Sequence, residues 1–71
     1  MGYEYEYKRA LLFLNRKIIV HATTNNFWCN GLLLEVTKDF IVVKDRIDGQ
    51  EKFIYFSELK KPLEPFKEVV E

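Results

Sequence analysis

The sequence predicts a mostly β single domain over residues 1–71. An N-terminal helix at about 4–14 is followed by a small, strongly bent, five-stranded antiparallel barrel at about 17–69. Three observations carry that expectation. The opening stretch places apolar residues at helical spacing, at Tyr3, Tyr7, Leu11 and Leu14. From Lys17 the texture changes to β-branched and aromatic runs separated by turn residues. Gly31 lies inside one of those runs, where a missing side chain serves sharp curvature or close backbone approach.

The helix is the better of two readings of YEYEYKRALLFLNRK. Alternation of Tyr3, Tyr5 and Tyr7 would suit a short strand. Against it, residues 8–14 are good helix formers, Glu4 stands four before Lys8, and Asn15 is the expected left-handed stop after Leu14. Strands are then expected at about 17–24, 27–37, 40–46, 50–57 and 63–69. Asn25-Asn26 suits a hairpin turn because asparagine tolerates positive φ, Thr37-Lys38-Asp39 makes a second tight turn, and Asp48-Gly49 a third. Pro62 and Pro65 confine the last strand to an edge.

Composition bounds the function. A domain this small buries only about 60% of the surface its unfolded chain exposes, so it needs help from a disulfide, a metal or a neighbour. One cysteine and one histidine exclude an internal disulfide and argue against a zinc site, which leaves self-association. Hydrophobic content of 48%, with 15% aromatics, is consistent with apolar surface intended for another copy. Eleven basic and eleven acidic residues balance, so the chain lacks the basic excess of a general nucleic-acid binder. Lys8, Arg9, Arg16 and Lys17 near the start and Lys60 and Lys61 near the end are local cationic groups at most. No signal peptide or run of about 20 apolar residues is present, so a soluble, cytoplasmic protein without a membrane partner is expected.

Cys29 and His21 raise the question of a reaction centre. If Asn25 and Asn26 form a two-residue loop, Ala22 faces Cys29 and His21 faces Asn30, so the thiol and the imidazole point to opposite faces. One face then carries Ile18, Val20, Ala22, Cys29, Gly31 and Leu33, all small or apolar, and suits an interior. An odd loop length would put the two groups on one side. Even then no group orients the imidazole and no oxyanion site is evident. Cys29 therefore reads as core and His21 as a surface or interface residue. With no catalytic carboxylate pair, phosphate loop or metal cluster, the chain reads as a non-enzyme without a cofactor.

The order of helix, strand, turn, strand bent at glycine, turn and further strands resembles the Sm-like superfamily, which includes the Sm, LSm and Hfq proteins. The resemblance runs from about Leu11 to Phe66. Asn26 stands at the family's turn glycine, Gly31 at its strand glycine, and Leu33 and Val36 at apolar positions. Thr37, Asp39, Phe40 and Ile41 occupy the places of its aspartate, base-stacking residue, apolar residue and asparagine. Ile54, Tyr55, Phe56 and Ser57 replace the later Ile-Arg-Gly-Asn-like run. Tyr55 matches the tyrosine of the Tyr-Lys-His run of Hfq, while Phe56 and Ser57 replace its lysine and histidine.

The resemblance implies a homo-oligomeric ring in which the fourth strand of one copy pairs with the fifth of the next. Phe53, Tyr55, Phe56 and Phe66 are the expected contact residues. It also implies single-stranded RNA as a partner. Phe40 and Tyr55 would stack bases, with Lys38, Asp39, Lys44 and Arg46 around them. The rival reading is a protein-interaction or structural ring without an RNA pocket, or a KOW- or Tudor-like barrel, with a protein partner engaging Phe27, Trp28 and Leu32.

Overall fold

The computed structural model describes residues 3–66, which form an N-terminal helix and one five-stranded antiparallel sheet. Helix α1 spans Glu4–Arg16, two residues beyond its expected end. Asn15 stays helical, and the left-handed stop falls instead on Lys17, at φ 57° and ψ 43°. The N–H groups of Lys17 and Ile18 close the helix end by donating to the carbonyls of Leu14 and Phe13. Phe13 and Ala10 are buried, and Tyr7 and Leu14 flank them against the core, so the helical spacing marks the packed face. Tyr5 and Leu12 remain exposed on the other side.

The strands are β1 (Ile19–Thr23), β2 (Trp28–Val36), β3 (Phe40–Asp45), β4 (Glu51–Tyr55) and β5 (Glu64–Pro65), and they lie in the order β4-β3-β2-β1-β5. The sheet is not closed: β4 and β5 are its two edges, and the expected barrel is open between them. The cause lies after β4. Residues Phe56–Glu58 turn as a 3-10 helix instead of extending the strand. The chain then returns along β1 in two short pieces, a Thr24–Leu59 bridge just past the end of β1 and β5 itself. The expected strand at 63–69 is thus described only as Glu64–Pro65, and positions 67–69 lie outside the described residues.

The first hairpin has the register expected of a two-residue loop, with Ala22 opposite Cys29 and His21 opposite Asn30. Its turn is made differently. Neither asparagine has positive φ. Instead the Thr24 hydroxyl accepts the N–H groups of Asn26 and Phe27 at 3.1 and 3.0 Å and donates to the Phe27 carbonyl at 3.0 Å. The second hairpin repeats this arrangement with Thr37, Asp39 and Phe40. Thr-Asn-Asn-Phe and Thr-Lys-Asp-Phe are therefore one turn built twice, with the threonine oxygen serving two backbone donors.

Gly31 has the role its place in the strand suggested. A Cβ there would lie 1.9 Å from the Lys44 carbonyl oxygen, so β2 and β3 could not approach as they do with any side chain at this position. Two residues on, the register slips between Leu33 and Glu35, a bulge that bends β2. The core closes between α1 and one sheet face, from Val20, Ala22, Cys29, Leu33, Ile41, Val43, Ile54, Phe56 and Leu63. Among the described residues no helix covers the other sheet face. No helix among the described residues is long and apolar enough to cross a membrane.

Candidate functional site

The helix-free sheet face carries two groups of aromatic side chains, one at each end. The first joins β3 to β4. Phe40 is registered opposite Tyr55, their ring centroids are 5.4 Å apart, and Phe53 lies 6.0 Å from Phe40. Tyr55 and Phe53 are 50% and 61% exposed, large values for such rings. Strand alternation explains the grouping, because residues 53 and 55 share a face of β4 and residue 40 is their neighbour on β3. The expected pairing of Phe40 with Tyr55 is present, and Phe53 extends it.

The other residues expected around that pair divide into two sets. Lys38 and Asp39 form the loop just before Phe40, and with Tyr3, Glu4, Tyr7 and Lys8 they line a hollow of about 420 Å³ beside the start of α1. Lys44 lies four residues along β3 from Phe40, roughly 13 Å at strand spacing. Arg46 is farther still, in the β3–β4 turn, with its guanidinium 5.3 Å over the Phe66 ring. Extended geometry separates what the sequence grouped: Lys44 and Arg46 do not join Phe40 and Tyr55.

The expected contact residues divide similarly. Phe53 and Tyr55 face solvent along edge strand β4. Phe56 does not, being only 3% exposed in the core where the 3-10 turn swings its ring inward. Phe66 is half-buried beyond β5, at the opposite edge. Backbone geometry along β4 is specific. The Phe56 N–H donates to Asp39 and the Asp45 N–H to the Gln50 carbonyl, so ladder alternation turns the peptide groups of Glu51, Phe53 and Tyr55 outward. The Tyr55 N–H is taken by the Glu58 carboxylate at 3.2 Å. At the other edge, the Phe66 N–H donates to Ile19, so the nitrogen of Pro65 faces away from β1.

The second aromatic group lies across β1, β2 and the end of β5. His21 is 5.7 Å from Trp28 and 6.5 Å from Phe66, with ring planes 31° and 26° from its own. The His21 Nδ1 hydrogen-bonds Oδ1 of Asn30, its partner in the register. Asn30 is 8% exposed while Trp28 is 55% exposed. The two-residue loop expected from the sequence set His21 opposite Asn30. The sequence missed Phe66 as their neighbour, which needs the long-range β1–β5 pairing. Phe27 and Leu32 are exposed as well, as a surface for a protein partner would require.

Cys29 and His21 occupy opposite faces. Cys29 is fully buried, and burial, reinforced by the nearby Asp45 carboxylate, pushes its thiol up to about 11. It therefore stays protonated and non-nucleophilic at neutral pH. Around the β3–β4 turn, Lys52 reaches Asp48 at 3.1 Å and Asp45 at 3.6 Å. A hydrogen bond from the Gln50 N–H, then the Lys52 ammonium, holds the Asp48 carboxyl below the usual carboxylate range. Among the described residues no group of three or more His, Cys, Asp or Glu side chains is placed to hold a metal. No protein-family model matches the chain, and no curated protein matches it in sequence.

Proposed function

We propose that the chain is a divergent Sm-like module that assembles into a homo-oligomeric ring, β4 of one copy pairing with β5 of the next, and that the ring binds single-stranded RNA as a cytoplasmic scaffold. The observation that carries this reading is the open sheet with β4 and β5 as its two edges. Outward peptide groups at Glu51 and Phe53 offer a strand-pairing edge, and the exposed Phe53 ring beside them offers apolar area to a neighbour. Ring formation would repeat the Phe40–Tyr55 pair and Lys38 around an axis. Base stacking contributes about 1–3 kcal/mol per base, so repetition compensates for a chain of zero net charge.

The test has two arms. Light scattering at micromolar concentration should give a multiple of the chain mass, and a mass equal to one chain would remove the ring. Fluorescence anisotropy with oligo-U, oligo-A and mixed RNA at two salt concentrations should show saturable binding that weakens with salt and is lost in Phe40→Ala. One observation favours a second reading, a protein-interaction ring: Trp28 and Leu32 are exposed on the outer face, and Phe27 is exposed in the turn beside them. Absence of RNA binding, with loss of a protein partner on Trp28→Ala, would select it.

A further inference from the structure

Each edge of the open sheet carries an outward backbone group that a charged side chain has taken. On β4 the Tyr55 N–H donates to the Glu58 carboxylate at 3.2 Å. On the opposite edge the Leu63 carbonyl, just before β5, accepts the Arg9 Nε–H at 3.0 Å. That carbonyl points away from β1, because the Phe66 N–H donates to Ile19 and ladder alternation turns the Leu63 and Pro65 carbonyls outward together. An acid thus covers a donor on one edge, and a base covers an acceptor on the other. In a single copy both caps satisfy groups that would otherwise be open to water or to another strand.

The capped groups also match in position. Two residues before Tyr55 on β4 is the outward Phe53 N–H, and two residues after Leu63 is the outward Pro65 carbonyl. Among the described residues neither of these has a partner. The two pairs come face to face only if the strands run antiparallel. Tyr55 then lies opposite Leu63 and Phe53 opposite Pro65, with a donor against an acceptor at both places. The N–H that Pro65 lacks is the one bond missing from these rungs. Twist leaves that sense open, since four strand-to-strand steps of about 20–25° set β5 and β4 roughly a right angle apart.

We propose that this register is the junction between copies, an inference that rests on the ring reading, and that the two caps are exchanged there. The Tyr55 N–H passes to the Leu63 carbonyl of the next copy. Glu58 and the Arg9 of that copy are released together, are opposite in charge, and bond to each other across the junction. Neither capped backbone group loses a partner in the exchange, and a charge-assisted pair forms in addition.

Charge reversal tests the junction. Glu58→Arg and Arg9→Glu each set like charges against each other at every contact, and each should weaken association at least about tenfold in sedimentation velocity. Mixing the two variants makes every mixed junction complementary again and should restore assemblies larger than one chain. An oligomeric parent whose variants keep the parental mass, or do not re-associate on mixing, would overturn the junction and leave the ring. A parent of one-chain mass would remove the ring and the junction with it. Hydrogen exchange on the unaltered protein depends on no variant folding: the Phe53 amide should exchange at least about tenfold more slowly in the assembly than after dilution to single chains. An unprotected Phe53 amide in the assembly would overturn the register.

Discussion

At the scale of single residues, two buried positions set sharp conditions on the chain. Gly31 is required by distance, since its own Cβ would overlap the Lys44 carbonyl. Gly31→Ala is therefore expected to cost more than about 2 kcal/mol, because the backbone of β3 must move to make room. A urea melt that leaves the midpoint within experimental error of the parent would contradict this account. Cys29 makes the chain sensitive to alkali. Its thiol rises from the ordinary 9.0 to about 11 in the folded protein, so between those values the native state holds a proton that the unfolded chain releases. The associated stability is complete below pH 9 and is lost as pH rises toward 11. The stability difference between the parent and Cys29→Ala should shrink by roughly 2 kcal/mol across that window, the linkage value of such a shift. Paired denaturant melts at pH 8 and pH 11 measure it, and a constant difference would show that the thiol is not insulated.

At the scale of elements, the turns show where sequence and structure agree for different reasons. The Asn25-Asn26 loop was legible from its polar residues between β runs, and so was the register that put His21 and Cys29 on opposite faces. The backbone mechanism was not legible there, because the positive-φ habit of asparagine competes with the capping hydroxyl of Thr24, and the hydroxyl prevails. Thr24→Val and Thr37→Val each remove an acceptor shared by two N–H groups, so each should cost about 1 kcal/mol or more, while Asn26→Ala should cost much less. Thermal melts of the three variants would rank them, and an Asn26→Ala loss larger than the Thr24→Val loss would reverse the assignment. Helix α1 was similarly visible in its apolar spacing, but its end slipped by two residues because Lys17 takes the left-handed position without glycine or asparagine. Phe56 looked like an interface residue while its strand was read as continuing to 57. The 3-10 turn that buries it is fixed by local backbone bonds that alternation does not encode.

At the scale of the whole molecule, the open sheet leaves two unequal edges. β4 is five residues long and exposes the rings of Phe53 and Tyr55, whereas β5 is two residues long and carries Pro65, whose nitrogen faces outward and can donate nothing. Self-association through β4 should therefore depend chiefly on that strand. Phe53→Lys, which sets a charge on its exposed face, should reduce the light-scattering mass to one chain without lowering the melting temperature by more than a few degrees. An unchanged oligomer in that variant would place the contact elsewhere. The candidate sites were only half legible because they draw on both local and distant neighbours. Phe40 and Tyr55 meet through an adjacent hairpin, as the strand spacing implied. Phe66 reaches His21 only through a pairing between chain segments more than 40 residues apart, which no local pattern signals.

The same contrast in separation sets an expectation for the order in which the chain folds. β1 to β4 form a meander whose three hairpins close over a few residues each, so every rung can zip onward from its own turn within microseconds. The β1–β5 ladder must instead close a loop of the whole intervening meander, at an entropic cost that grows with the logarithm of that length. By that cost the β1–β5 ladder is the pairing expected to form last, and the contact of Phe66 with His21 with it.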